Sequence, residues 1–172
     1  MLALPISCEP PRKGEFIVLR PSPTPVQAYW QLGWIDDKNQ RAKISDYKGR
    51  VLVLDFYATW CEPCRRSIPR LNALKVLYGS KGVEIVGLNV GGPDDRIKVK
   101  QFAAELNIRY ALGFPDKTLT DFLLADDQTI PQTFVFGPDG NLIKRFIGYQ
   151  EGTGGDIETI IQSELQKGEV FT

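Results

Sequence analysis

The segment RVLVLDFY, residues 50–57, restricts the chain more than any other. Its apolar residues are nearly continuous rather than alternating, so it has no solvent face and reads as a central strand covered on both sides. The next segment is helical. From Cys61 to Tyr78 the apolar positions Ile68, Leu71, Leu74 and Leu77 recur every three residues, and Gly79 and Gly82 close the segment. VEIVGLNV, residues 83–90, is a second buried strand. Strand, helix and strand in that order form a parallel β-α-β unit.

The remaining segments complete a sheet. Trp30, Leu32 and Trp34 alternate with Gln31 and Gly33, and DDKNQ then supplies turn chemistry, which predicts an N-terminal hairpin. RIKVKQFAAEL (96–106) reads as one helix, IRYALGF as a short strand or loop, and KTLTDFLL as a helical turn or two. QTFVFGPDGNLIKRFIGY is two strands around the turn GPDG. Ile157, Ile160, Ile161 and Leu165 make a helical stripe that should dock on the sheet. A parallel unit followed by an antiparallel hairpin gives an α/β fold, with a mixed central sheet and helices on both faces. Residues 1–26 carry Pro5, Pro10, Pro11, Pro21, Pro23 and Pro25 and read as an extended Pro-rich tail.

At 172 residues, 42% of them hydrophobic, the chain is about one domain long and has a core's worth of apolar bulk without cross-links. Its cysteines are therefore not needed as staples. Lys plus Arg and Asp plus Glu each number 21, and with no net charge nucleic acid is not an expected partner. There is no histidine, so chemistry falls to Cys, Asp, Glu, Lys or Tyr. No segment reaches the roughly 18 apolar residues of a membrane span, and MLALPIS is too short for a whole signal peptide. Cys8 lies in LPISCEPP, where Pro5 occupies the place that a lipoprotein-type signal gives to an aliphatic residue; an incidental thiol and a lipidated one are the two readings.

Cys61 and Cys64 stand two residues apart directly behind the first buried strand. Half of a zinc site, a structural disulfide and a redox dithiol are the three readings of such a pair. Zinc takes about four ligands, and no second Cys pair or His supplies them, so no metal is expected. A structural disulfide closing so small a loop restrains little chain entropy. The redox reading has a positive argument: a turn that delivers Cys61 to the start of a helix aims unpaired backbone N–H groups and the helix dipole at its thiolate. Cys64, one turn on, could then resolve a mixed disulfide. Pro63 lacks an N–H, which costs nothing in a helix's first turn, and stiffens the loop between the sulfurs.

DFYATWCEPC resembles the active site of the thioredoxin superfamily, and TIPQTFVF resembles its second landmark, the segment with a cis proline opposite the dithiol. The likeness covers about residues 27–167. Within the superfamily CEPC, VEIVGLNVGG and an inserted helix-containing stretch near 92–128 are similar to the TlpA/ResA-like branch of extracytoplasmic thiol-disulfide oxidoreductases. The resemblance implies a thioredoxin-like fold and a reductase of protein disulfides acting through the Cys-Glu-Pro-Cys dithiol, with a role in cytochrome c maturation. No cofactor beyond a redox-active Cys61–Cys64 disulfide is expected. The implied partners are protein thiols or disulfides and a membrane or soluble electron donor, and a monomer is expected. The implied location is periplasmic, whether free or membrane-anchored, with the signal or anchor absent from this sequence.

Further roles come with the same resemblance. Ile130–Pro131 would carry the cis peptide, leaving the backbone of Ile130 to pair with a substrate strand; the alternative is an ordinary trans proline opening an edge strand. Trp60 and Gly148 would flank the groove, although Trp60 could instead be core. Asp55, six residues before Cys61, has the spacing of the buried thioredoxin aspartate that accepts a proton from the second thiol; a structural carboxylate satisfied by partners is the other reading. Gly87 stands where thioredoxins place a lysine near that aspartate, and Ser67 where ResA-like proteins place a glutamate. Glu62 opposes ionisation of Cys61, which puts the couple toward the reducing side of the range from about −120 to −270 mV, or else it merely caps the helix. Two other functions remain open. A peroxiredoxin would need a Thr three residues before its reactive Cys, where this chain has Ala58, with Thr59 one place too late. A thioredoxin-like binding module would leave the dithiol idle.

Overall fold

The computed structural model describes residues 29–169; the Pro-rich stretch at 1–26 and Cys8 lie outside the described residues. Seven strands form one mixed sheet: β1 (Gly33–Asp36), β2 (Arg41–Lys43), β3 (Val51–Tyr57), β4 (Val83–Asn89), β5 (Ala111–Pro115), β6 (Gln132–Phe136) and β7 (Leu142–Ile147). Their order across the sheet is β2-β1-β5-β4-β3-β6-β7, so the two apolar runs sit at its centre. β3, β4 and β5 are parallel, while β1 and β2 at one edge and β6 and β7 at the other pair antiparallel. The helices are α1 (Glu62–Tyr78), α2 (Pro93–Arg96), α3 (Val99–Glu105), α4 (Lys117–Leu123) and α5 (Thr153–Glu169).

Every residue of β3 is buried, and alternation along the strand divides its side chains between two cores. Val51, Val53 and Tyr57 face Ile68, Leu71 and Leu74 of α1, Phe102 of α3 and Ile157 and Ile161 of α5. Leu52, Leu54 and Phe56 face Leu119 and Leu123 of α4, together with Trp34, Phe134 and Phe136. The fold is thus a mixed sheet with helices on both faces, as the sequence pattern implies.

Three local details differ from the sequence pattern. β1 begins at Gly33, so Trp30 and Leu32 precede the hairpin; Leu32 N–H bonds the Tyr29 carbonyl (3.0 Å), which curls this stretch into a turn. The single helix expected over 96–106 is two, because the Lys98 N–H bonds the Asp95 carbonyl (3.0 Å), an i→i−3 bond that tightens the ladder between α2 and α3. In α1 the buried stripe is Ile68, Leu71, Leu74 and Tyr78, and Leu77 is exposed. A strict three-residue repeat drifts off a 3.6-residue helix, and after Leu74 the next inward position is four residues on.

Candidate active site at the head of α1

The chain leaves β3, turns through Ala58 to Trp60 and enters α1 at Cys61. Cys61 is the N-cap: its backbone is extended, and its Sγ accepts the Cys64 N–H at 3.3 Å. Pro63 occupies the first turn, where its missing N–H removes no helical bond. The two sulfurs form a disulfide with an S–S distance of 2.08 Å. Both cysteines are buried, Cys61 retaining 4% exposure and Cys64 none, so the first is the less enclosed residue of the two.

Asp55 lies on the face of β3 that α1 covers, two residues from Tyr57 and Val53 on the same side. It is fully buried. Its Oδ1 accepts the Thr133 hydroxyl of β6 at 2.8 Å, and its Oδ2 has no partner among the described residues. Burial pushes its carboxyl up to about 7, against the opposing pull of the Thr133 hydrogen bond. The position beside it on β4 is Gly87. A side chain there would be crowded: a Cβ would stand 2.7 Å from Leu112 Cδ2 and 3.2 Å from both the Tyr57 and Tyr110 rings, so those side chains would have to shift. Leu112 and two aromatic rings therefore fill the space over Gly87, and among the described residues no cation acts on Asp55. Burial also raises both tyrosine hydroxyls, with Asp55's charge adding to it and the Asn89 side chain opposing it at Tyr57.

The Ile130–Pro131 peptide is cis, and the Ile130 carbonyl oxygen lies 3.8 Å from Cys61 Sγ. The Pro131 carbonyl accepts the Gly148 N–H at 2.8 Å, and Gly148 has a φ of +74°, a conformation that favours glycine. Pro131 and Gly148 line a pocket of about 50 Å³ with Arg66, Ser67, Thr133 and Tyr149. Thr133 therefore links this pocket to Asp55. Trp60 is 67% exposed, which removes it from the core, and it is not part of that pocket's lining. Glu62 also points outward, with its side chain 75% exposed and Arg65 Nε 4.0 Å away.

Sequence reasoning passed over Thr133, Tyr57 and Tyr110, and also a polar cluster beside the Cys61 turn formed by Thr59, Asn89 and Asp95. The available signal was the one that exposed Asp55: Asn89 is a polar residue closing the apolar run VEIVGLN, and it is buried.

Comparison with known proteins agrees with this geometry. The AhpC/TSA family profile matches residues 27–145. The thiol-disulfide oxidoreductase ResA of Geobacillus kaustophilus is 34% identical over 134 residues, covering 74% of this chain and 71% of that protein. ResA of Bacillus subtilis is 34% identical over 116 residues, 66% of this chain and 62% of the relative. Among solved structures, a thiol:disulfide interchange protein DsbE from Chlorobium tepidum superposes with a TM-score of 0.68 at 26% identity, covering 77% of this chain and 92% of that one. With its redox pair capping a helix on this sheet, the chain belongs to the AhpC/TSA family and stands with the ResA-like thiol-disulfide oxidoreductases.

Proposed function

We propose that the chain reduces protein disulfides, with Cys61 as the attacking thiolate and Cys64 as the resolving one. The observation that carries this assignment is the asymmetry of the pair: Cys61 caps α1, receives the Cys64 N–H and keeps some exposure, while Cys64 is sealed one turn inside. In the reduced protein the Cys61 thiolate attacks one sulfur of a substrate disulfide, and the other substrate sulfur leaves as a thiolate. Cys64 then gives its proton to Asp55 and attacks Cys61 Sγ. The second substrate thiolate departs, two electrons have passed to the substrate, and Cys61–Cys64 is a disulfide. A carboxyl with its pKa near 7 is part ionised at neutrality and accepts that proton without being held as a permanent anion. Trp60, the Ile130 backbone, Pro131 and Gly148 hold the substrate segment. A dithiol donor, membrane-bound or soluble, returns the pair to its reduced state.

The resemblance to the ResA-like branch extends this proposal to an extracytoplasmic location and to thiol reduction during cytochrome c maturation. The peroxiredoxin alternative lacks its threonine: Ala58 stands three residues before Cys61, and the Thr59 hydroxyl is engaged by Asp95. The test is trapping. Cys64→Ser should accumulate a mixed disulfide between Cys61 and a disulfide substrate, identifiable by peptide mass, whereas Cys61→Ser should give none. A trapped adduct on Cys64 in the second variant would reverse the assignment.

A further inference from the structure

Apart from Asp55, Asp95 is the buried carboxylate among the described residues. It is 2% exposed and lies in α2, within the stretch inserted after β4. Its Oδ2 accepts the Thr59 backbone N–H at 2.9 Å and the Asn89 side-chain amide at 2.8 Å, and its Oδ1 accepts the Thr59 hydroxyl. Asn89, at the end of β4, accepts the Gly91 N–H through its own Oδ1 at 3.3 Å. The approach is close enough that a Cβ on Gly91 would stand 2.2 Å from Asp95 Oδ2. Three hydrogen bonds, two of them to one residue, are more than an acid needs merely to be buried.

What they fix is the turn that presents the nucleophile. Thr59 is two residues before Cys61, and the Cys61 N–H closes the same turn by bonding the Ala58 carbonyl at 3.2 Å. Held at Thr59 by Asp95 and at Cys61 by its own helix cap, the turn leaves Trp60 and the first sulfur little freedom. We infer that Asp95 is a positioning residue for thiol-disulfide exchange, through which the inserted α2 clamps the Cys61 turn in its reactive geometry. The inference rests on the reading of Cys61 as the nucleophile. Charge-assisted bonds from buried donors are the strong class, and the carboxylate is the acceptor that takes all three at once. Those bonds, from Asn89 and Thr59, together with Lys98, hold the carboxyl below its ordinary value although burial opposes this, so Asp95 stays ionised near neutrality.

A merely structural carboxylate would change melting and nothing else, whereas a clamp on the turn changes the sulfur's reactivity in protein that is still folded. The experiment measures iodoacetamide alkylation of the fully reduced protein at pH 7, with the modified cysteine mapped by mass spectrometry. Redox equilibrium with glutathione is read in parallel. In the wild type Cys61 should be labelled first. In Asp95→Ala the labelling of Cys61 should slow by about tenfold, because the thiolate no longer sits where the helix N-terminus stabilises it. The glutathione equilibrium should move toward the disulfide in step. Thr59→Val, which deletes only the hydroxyl bond and keeps the shape, should slow it by about threefold, and Thr59→Ser should restore the wild-type rate. If Asp95→Ala fails to fold, the Thr59 pair decides alone. Labelling of Cys64 first in the wild type would overturn the nucleophile assignment and the clamp with it. A wild-type pattern combined with unchanged rates in folded Asp95→Ala, or in Thr59→Val, would overturn the clamp and leave the nucleophile standing.

Discussion

The two faces of the central sheet are built to different rules. On the face covered by α4, β3 presents Leu52, Leu54 and Phe56 to a core of aliphatic and aromatic side chains, with Phe56 and Phe134 meeting edge to face at 5.6 Å. On the face covered by α1, the same strand buries the carboxyl of Asp55, whose Oδ2 has no partner among the described residues and whose charge acts on Tyr57 and Tyr110. Neighbours in sequence thus serve opposite ends. One face supplies net stability, and the other gives some of it up to bury an ionisable group.

Adjacent substitutions break this contrast most sharply. Phe56→Ala should cost about 3–5 kcal/mol in urea unfolding, through lost burial and the cavity left behind. The alkylation rate of Cys61 in the folded fraction should not change. A large change in that rate would mean that the two faces are not independent.

Asp55→Asn should behave in the opposite way, and its effect on stability depends on pH. The folded carboxyl, pushed up to about 7 from an ordinary value of 3.8, binds its proton more tightly than the unfolded one. Below about pH 4 both states are protonated and the group costs nothing; between about 4 and 7 only the unfolded chain ionises, so stability falls as pH rises. Above that window the full cost is present, on the order of a few kcal/mol. The amide escapes that cost but leaves an N–H without an evident acceptor, worth about 1–3 kcal/mol. The Asn variant should therefore be less stable than the wild type at pH 4 and as stable or more so at pH 8, a crossing that urea melts across pH would reveal. Resolution of the mixed disulfide should meanwhile slow by about tenfold or more, read by stopped flow with a small disulfide. Parallel stability curves would remove Asp55 as a titrating group, and an unchanged resolution rate would remove it as a relay.

How much of this was legible in the sequence differs between the same two faces. The apolar face was readable because continuous runs such as VLVLDFY and VEIVGLN leave few arrangements other than a covered parallel unit, and the order of the central strands follows from it. Asp55 was readable as well, since a charge inside such a run is costly and has to be used or satisfied. The rest of the site depends on distances across the chain that no local pattern encodes. Thr133 reaches Asp55 from a strand 78 residues away, and Tyr110 covers the space that Gly87 leaves open. Asp95 stands in GGPDD, which reads as a surface break; burial becomes its best option only because Thr59 and Asn89 offer three donors where the loop lands. The i→i−3 bond that splits the expected helix at Lys98 is taken up by the same residue's carbonyl.

The smallest effect belongs to Glu62. Its formal charge adjoins Cys61 in sequence and would oppose the thiolate if the two shared a low-dielectric pocket. The side chain instead stands 75% exposed, with Arg65 Nε 4.0 Å from it, while the Cys61 sulfur is turned inward against the Cys64 N–H and the Ile130 carbonyl. Water and the neighbouring cation should screen most of the interaction between Glu62 and the sulfur. Glu62→Gln should accelerate alkylation of Cys61 by less than about twofold at pH 7, and raising the salt to about 1 M should abolish even that difference. A Glu62 effect well above twofold, or one indifferent to salt, would show that the exposed rim tunes the dithiol.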